Sequence, residues 1–418
     1  MTSTQSGTHT LTYLRPPTAD LDELTERFAP IFAEIGKDDV TRERDRVFAH
    51  DAVATLKDAG FGRLRIPVEF GGFGASLQQT FLLLADLAAA DANIAHVWRN
   101  HLAFVEDRLN ATPSPGNDAW LARFIAGEFV GGGWTEANNG TLANLKTVVR
   151  RDGDRWRVSG AKFYATGSLY ADWLDVLGKS EDDGTYLTLL VRRDDPGVTL
   201  VDDWTGFGQR TTASGSATYQ DVPAEASDVF PITERFVYQG HFYQTAILAV
   251  LAGITRAALR DGTAALRARG RNYPQGLDPV PAHDPQLLEV IGRVSVLAFT
   301  ARAALSESSQ TLDLVAAAHS AGDEKLRGQR VLEAEVATNH AQLAIIDAVL
   351  NATTTIFDAL GASGVSETIA LDRHWRNART LASHNPRVYK ARILGDWLVN
   401  DTDPVPNFAG LQRGGQGN

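Results

Sequence analysis

Residues 372–392 read DRHWRNARTLASHNPRVYKAR. This stretch is basic, with Arg373, Arg376, Arg379, Arg387, Lys390 and Arg392 in a chain of formal net charge −11. From Trp375 to Leu394 there is no Asp or Glu. The pattern predicts a helix from about residue 367 to 381, a break at Ser383-His384-Asn385-Pro386, and a second helix after it. Proline makes the break, because it disfavours helical geometry in the residue before it and lacks the N–H that the next turn needs. Such a break exposes unpaired carbonyls and sets His384 at a helix end, where an imidazole can face a pocket. The plainer reading is a kinked surface helix with a capping histidine, since capping and turn residues are common at helix ends.

The rest of the chain bounds what that stretch can belong to. Its 418 residues are enough for two or three domains and several cores. With 44% apolar and 22% charged residues it has ordinary globular composition. The acidic balance argues against a nucleic-acid footprint. There is no cysteine, hence no disulfide, thiolate metal site or Cys nucleophile. The first twenty residues are polar, without a signal-peptide core. Apolar runs such as residues 246–252 are too short to span a bilayer. A cytoplasmic location follows by default.

Upstream, residues 1–18 read as a flexible arm. Helical spacing covers 21–32 and 49–59, then 77–89 and 93–109, with one more helix ending at Ala126. The segment RIPVEFGGFGA at residues 65–75 is a turn-rich loop and not a phosphate-binding pattern. The signal changes at Phe129. Strand-like runs follow at 147–151, 155–164, 173–177, 186–191 and 216–219, with hairpin-type turns at Asp152-Gly153 and Asp183-Gly184. From Glu234 the chain is helical again, over 236–269, 285–319 and 325–360, with residues 270–284 as a linking loop. These and the basic stretch make about four helices, a bundle. The division predicted is an arm (1–18), a helical domain (19–127), a β-domain (128–233), a four-helix bundle (234–403) and a polar, Gly-rich tail (404–418). The fold class is therefore α+β and multidomain.

Helices, then a β-domain, then a bundle is the plan of the acyl-CoA dehydrogenase superfamily, and several motifs resemble it in the right order. They are RIPVEFGGFG at 65–74, GGWTEANNG at 132–140, GAKFYATG at 160–167 and WTGFGQRTTASGSATYQDVPAE at 204–225. The closer resemblance is to its flavin-dependent monooxygenase branch, in particular the dibenzothiophene monooxygenase family. That family has a run similar to DRHWRNARTLASHNPRVYK, residues similar to those at 213–216, and an ending similar to PVPNF at 404–408. The resemblance implies an N-terminal helical domain, a middle β-barrel or sandwich, and a C-terminal four-helix bundle. It also implies a two-component enzyme and a homotetramer. A separate NAD(P)H:flavin reductase would supply reduced FMN, and the oxygenase would form a C4a-hydroperoxyflavin with O2. The substrate implied is aromatic or heteroaromatic, with sulfoxidation of dibenzothiophene-type compounds the nearest precedent.

A dehydrogenase of this fold needs a carboxylate base, near the bend after the last bundle helix or early in the first. The bend here offers His384 and Asn385, and residues 236–260 contain no Asp or Glu. An oxygenase instead needs groups that hydrogen-bond and protonate a flavin peroxide and exclude water, a task suited to histidine. By resemblance, His384 matches the histidine beside the reactive flavin carbon, His96 a second active-site histidine, and Thr166 a hydroxyl near flavin N5. Asn100 stands where the family has a tyrosine, which puts the substrate and fine mechanism in question. Gly133, Trp134, Thr135, Glu136, Ala137 and Asn138 match the first flavin segment. Phe163, Tyr164, Ala165 and Thr166 match the second. Arg271 matches an arginine that holds the FMN phosphate from a neighbouring subunit, and Ala362-Ser363 a short FMN-contacting turn. Residues 135–145 would form a lid. His96 and His101 are five apart and do not share a helix face, which argues against a metal pair. The alternatives are an FAD-dependent dehydrogenase or oxidase, an N- or C-hydroxylase of the same fold, and a flavin-free scaffold.

Overall fold

The computed structural model describes residues 12–137 and 144–404. Its N-terminal region comprises helices Leu21–Gly36 (α1), Asp39–Asp45 (α2), His50–Ala59 (α3), Leu77–Ala90 (α4), Ala92–Asn110 (α5) and Pro115–Ile125 (α6). The starts of four of them are set by local chemistry. Asp20, Asp91 and Ser114 accept from the free N–H groups at the starts of α1, α5 and α6, and Ser76 with Gln79 forms a capping box on α4. The expected flexible arm needs correcting at residues 12–18. The Tyr13 N–H donates to the Leu109 carbonyl at 3.0 Å, the Tyr13 hydroxyl donates to Asp118 at 2.6 Å, and the Thr18 N–H donates to Gly74 at 2.9 Å. Residues 1–11 of that arm lie outside the described residues, as do 405–418 of the predicted tail.

The middle region holds strands Val130–Gly133 (β1), Val148–Asp152 (β2), Arg155–Lys162 (β3), Trp173–Ser180 (β4), Tyr186–Arg192 (β5), Val198–Val201 (β6), Ser216–Glu225 (β7) and Val229–Pro231 (β8). They form one sheet in the order β6-β7-β3-β2-β4-β5-β8, and β1 pairs in parallel with β4. The predicted Asp-Gly turns close the β2–β3 and β4–β5 hairpins, with Gly153 and Gly184 left-handed at φ 62° and 75°. β1 was not predicted, because three of its four residues are glycine and carry no strand signal.

The C-terminal region comprises Gln239–Ala268 (α7), Pro285–Ser320 (α8), Glu324–Thr355 (α9), Asp372–Ala382 (α10) and Lys390–Asn400 (α11). By length and composition α7 could cross a membrane, contrary to the expectation from short apolar runs. However, 89% of its most apolar stretch is buried inside the fold. It packs against α4, α5, α8, α9 and α10, so it is the shared core helix of the molecule.

The predicted break falls as expected, at Ser383–Pro386, and is followed by a 3-10 turn at Arg387–Tyr389. α10 itself begins later than predicted, at Asp372. Residues 366–370 form a turn instead, with Ala370 left-handed at φ 50°. Much of the basic character of this stretch is spent on ion pairs, while Arg379 and Arg392 stay exposed. Arg373 pairs with Asp39 at 2.7 Å and Asp261 at 2.5 Å, His374 with Asp261 at 2.8 Å, and Arg376 with Glu43 at 2.6 Å. Arg387 pairs with Asp347. These arginines fasten the bend to α2, α7 and α9.

Candidate active site

A cavity of about 660 Å³ lies where α5, β1, the loop 204–214, α7 and the α10 break converge. Its walls are aromatic, with Trp134, Tyr164, Trp204, Phe207 and Tyr243. Its polar groups include His96, Arg99, Asn100, Gln209 and His384, and among the described residues no Asp or Glu lines it.

α5 supplies His96, Arg99 and Asn100 at helical spacings of three and four, which places them on one face. The His96 Nδ1 lies 3.0 Å from Gln209 Oε1. Its Nε2 is buried with no hydrogen-bond partner among the described residues. Burial, with the nearby Arg99 charge, pushes the His96 pKa down to about 3, so the ring is neutral at physiological pH.

Gln209 is held in a left-handed conformation, φ 55°, which a side-chain-bearing residue adopts only under constraint. The constraint comes from α10. The Gln209 N–H donates to Asn377 Oδ1 at 2.5 Å, and the Thr212 hydroxyl donates to the Gln209 carbonyl at 2.8 Å. Glu43, only 1% exposed, gathers Asn93 at 3.0 Å, Arg376 at 2.6 Å and Asn377 at 3.3 Å. Arg376 also donates to the Phe207 carbonyl at 3.1 Å. One buried carboxylate thus ties α2, α5 and α10 to the loop that carries Gln209.

Across the cavity, the Asn100 amide and the Gly132 N–H both donate to the Thr166 carbonyl, each at 3.0 Å. The Thr166 hydroxyl meets that of Ser214 at 2.8 Å. A side chain at Gly132 would put a Cβ 2.3 Å from Asn100 Nδ2, so this close approach requires glycine. Tyr164 is also left-handed, φ 58°, and holds its ring half exposed at the cavity. At the break, His384 Nδ1 lies 3.3 Å from Asn385 Oδ1. The Asn385 amide reaches Gln244, and Gln342 donates to the Asn385 carbonyl at 3.3 Å. His384 keeps an exposed surface, yet desolvation by the surrounding protein and the Arg99 charge lower its pKa.

Of the residues singled out in the sequence, His96, Asn100, Gly133, Trp134, Thr135, Tyr164, Thr166 and His384 all line this cavity. Four do not. Glu136 is buried and turned away, accepting from the Thr147 N–H at 2.8 Å and pairing with Lys162 at 3.2 Å. Its short side chain is spent on closing the start of β2. Ala137 is exposed, Phe163 packs on Tyr164 outside the lining, and Ala165 is fully buried behind it. Asn138 and residues 138–143 of the expected lid lie outside the described residues. Arg271, Ala362 and Ser363 are brought together, but in a second cavity of about 740 Å³ that shares no lining residue with the first. His101 serves the fold, with Nε2 3.1 Å from the Gly62 carbonyl and Nδ1 accepting from the Val130 N–H at 3.3 Å.

Arg99, Gln209 and Tyr243 were missed. An arginine on an apolar helix reads as a surface residue, and Gln209 and Tyr243 carry no local signal linking them to His96.

The chain matches the N-terminal domain of acyl-CoA dehydrogenase over residues 21–128, the middle domain over 131–222 and the C-terminal domain over 245–387. It is 29% identical over 406 residues to a probable FMNH2-dependent monooxygenase, SfnC, of Pseudomonas putida, covering 94% of this chain and 97% of that protein. A dibenzothiophene monooxygenase of Rhodococcus qingshengii is 27% identical, covering 88% of this chain and 91% of its own length. Among solved structures, the methanesulfinate monooxygenase MsuC of Pseudomonas fluorescens superposes with a TM-score of 0.83 at 25% identity, covering 94% of this chain and all of that one. TdsC of Paenibacillus sp. A11-2, with FMN and indole, superposes at 0.81 and 24% identity, covering 92% of this chain and all of that one. With its three domains matched in order, and with monooxygenases among its relatives, the chain belongs to the acyl-CoA dehydrogenase family, in its flavin-dependent monooxygenase branch.

Proposed function

We propose that this protein is an FMNH2-dependent monooxygenase that places one atom of O2 on a small organic substrate with an apolar, aromatic-sized body. One observation carries the reading: two imidazoles, His96 and His384, stand in the cavity and, among the described residues, no carboxylate does. Proton removal beside a thioester needs a carboxylate base, and this cavity has none to offer.

The residues present fit a flavin. Trp134, Tyr164 and Trp204 are flat walls for a planar ring, and the glycines of β1 bring bare backbone against it. The Nε2 atoms of His96 and Gln209 are buried polar atoms without protein partners, as a ring with a hydrogen-bonding edge requires. When bound, reduced FMN supplies the electrons that activate O2, one oxygen passing to the substrate and the other leaving as water.

The chain's own residues position and exchange protons around that chemistry. Gly133, Trp134, Thr135, Tyr164 and Thr166 would hold the ring. Asn100, fixed on the Thr166 carbonyl, takes a hydrogen-bonding place of the family tyrosine. His96 holds or moves a proton at Nε2 while Gln209 fixes its ring at Nδ1. His384 faces the same space from the α10 break, and its neighbour Asn385 is anchored on Gln244 and Gln342. The aromatic walls exclude water.

The second cavity, with Arg271 beside Ala362 and Ser363, suits a phosphate group. Its separation from the first supports service to a neighbouring subunit's cofactor, and hence a homotetramer. A separate NAD(P)H:flavin reductase would deliver the reduced FMN in the cytoplasm.

The test combines the protein with FMN, NADH, a general flavin reductase and a substrate panel under isotopically labelled O2. A product carrying one labelled oxygen atom is expected by mass spectrometry. Loss of two hydrogens from an acyl-CoA without oxygen incorporation would overturn the assignment.

A further inference from the structure

Among the described residues, Arg99 is the one strong charge in the cavity that the proposed oxygenation leaves without a task. Its Nε donates to the Tyr243 carbonyl at 3.1 Å, and its guanidinium carbon lies 4.6 Å from the centre of the Tyr243 ring. Its two terminal nitrogens have no hydrogen-bond or ion-pair partner among the described residues. Arg99 is half-buried and open to the cavity, whereas the buried arginines are all paired. Arg42, Arg65, Arg108, Arg235 and Arg373 each meet a carboxylate, at 3.0 Å for Arg42–Asp91 and 2.8 Å for Arg65–Glu106, for example. A guanidinium surrounded by protein is costly unless paired. Here the surroundings make it more so. Among the described residues no acid lines the cavity, the two imidazoles beside it cannot neutralise it, and desolvation pulls the Arg99 pKa down to about 10. The fold keeps the charge, turns the free end of the fork toward the ligand space, and leaves the partner to come from outside.

We propose that the substrate is an organic oxyanion, with a sulfinate, sulfonate or carboxylate head paired to the free fork of Arg99 and its apolar body against Tyr243 and Trp134. A planar guanidinium and a head group with two or more oxygens make parallel, charge-assisted hydrogen bonds that fix orientation as well as adding affinity. This rests on the FMNH2-dependent monooxygenase reading and refines it. Of the aromatic compounds expected for the branch, a neutral tricyclic thiophene leaves Arg99 unpaired and is a poor ligand, whereas a substrate with one charged end completes the site.

The test is a binding measurement on the full chain loaded with oxidised FMN, without reductant, so that no turnover occurs. Benzenesulfinate, benzenesulfonate and benzoate are titrated beside the neutral probes thioanisole and benzothiophene, following intrinsic tryptophan fluorescence. At least one anion is expected to bind in a salt-dependent way. Arg99→Gln should weaken it about 10- to 100-fold, with Arg99→Lys intermediate and FMN affinity changed by less than about threefold. Which head group binds best separates the sulfur acids from the carboxylates. If Arg99→Gln lowers FMN affinity and spares the anions, the charge serves the flavin and the proposal falls. It falls equally if no anion binds, or if neutral probes bind as well and are indifferent to Arg99. Should Arg99→Gln fail to fold, Arg99→Lys decides: anion affinity unchanged from the native chain would also overturn it. Anion binding that depends on Arg99 in a protein that incorporates no labelled oxygen would instead refute the monooxygenase reading and leave this one standing.

Discussion

The carboxamide oxygen of Gln209 lies 3.0 Å from Nδ1 of His96, across 113 residues of sequence. With the oxygen as acceptor, Nδ1 carries the proton and Nε2 is left as the lone-pair nitrogen facing the ligand space. Gln209 is therefore a positioning residue. Gln209→Leu should lower product formation about 10-fold or more and divert reduced FMN to hydrogen peroxide. Gln209→Glu should move the acid limb of the pH–rate profile upward, because a carboxylate beside Nδ1 favours imidazolium. A merely structural role would leave that limb where it is.

His384 stands at the break, anchored through Asn385 rather than through its own ring. His384→Ala should leave the fold intact, since no other element depends on the imidazole, and reduce oxygen incorporation by about 100-fold. Asn385→Ala removes the Gln244 contact and should produce a smaller loss that grows with temperature, as the bend loosens. Product yield per NADH, measured beside far-UV circular dichroism, separates the two effects.

Acid should destabilise the protein earlier than carboxylate titration alone requires. Burial pushes the His101 pKa down to about 4, and both ring nitrogens are already engaged. Above the unfolded value near 6.5 both states are neutral and the group contributes nothing to the pH dependence. Below it the unfolded chain takes up a proton that the folded chain refuses, so stability falls as pH drops from about 6.5 to 4, by on the order of 3 kcal/mol. His96 adds a loss of the same sign. Urea unfolding at several pH values checks this, and His101→Gln, which can donate and accept at similar positions, should flatten the slope.

Gly132→Ala tests the bare strand. The new Cβ would sit 2.3 Å from Asn100 Nδ2 and must displace that flexible amide from the Thr166 carbonyl. FMN affinity should fall about tenfold, the loss of one or two good hydrogen bonds, with only a modest change in unfolding midpoint. Equilibrium dialysis against FMN reads the first and a thermal melt the second.

Much of this architecture is legible in the chain alone, where local chemistry sets local structure. Pro386 locates the break, Asp-Gly pairs locate two hairpins, and Ser76 with Gln79 announces α4. The placement of His96, Thr166 and His384 came from the resemblance and not from periodicity. Reading failed where the cause was distant. The left-handed backbone of Gln209 is enforced by Asn377, and Arg373 and Arg376 of α10 are paired by Glu43, Asp39 and Asp261 from elements more than 100 residues away. Glu136, aligned with a flavin segment, proved to be a fastener for Thr147 and Lys162.

The helix α7 has a consequence for how the polypeptide must be made. It is greasy enough to pass for a bilayer anchor, and α4, α5, α8, α9 and α10 clothe it. A ribosome that has released residues 1–268 has therefore produced an oily rod that α4 and α5 can cover on one side, while the faces that α8, α9 and α10 cover stay bare until those helices are translated. Chains shortened before residue 355 should collect in inclusion bodies instead of yielding a smaller soluble unit, whatever the apparent tidiness of the first two domains.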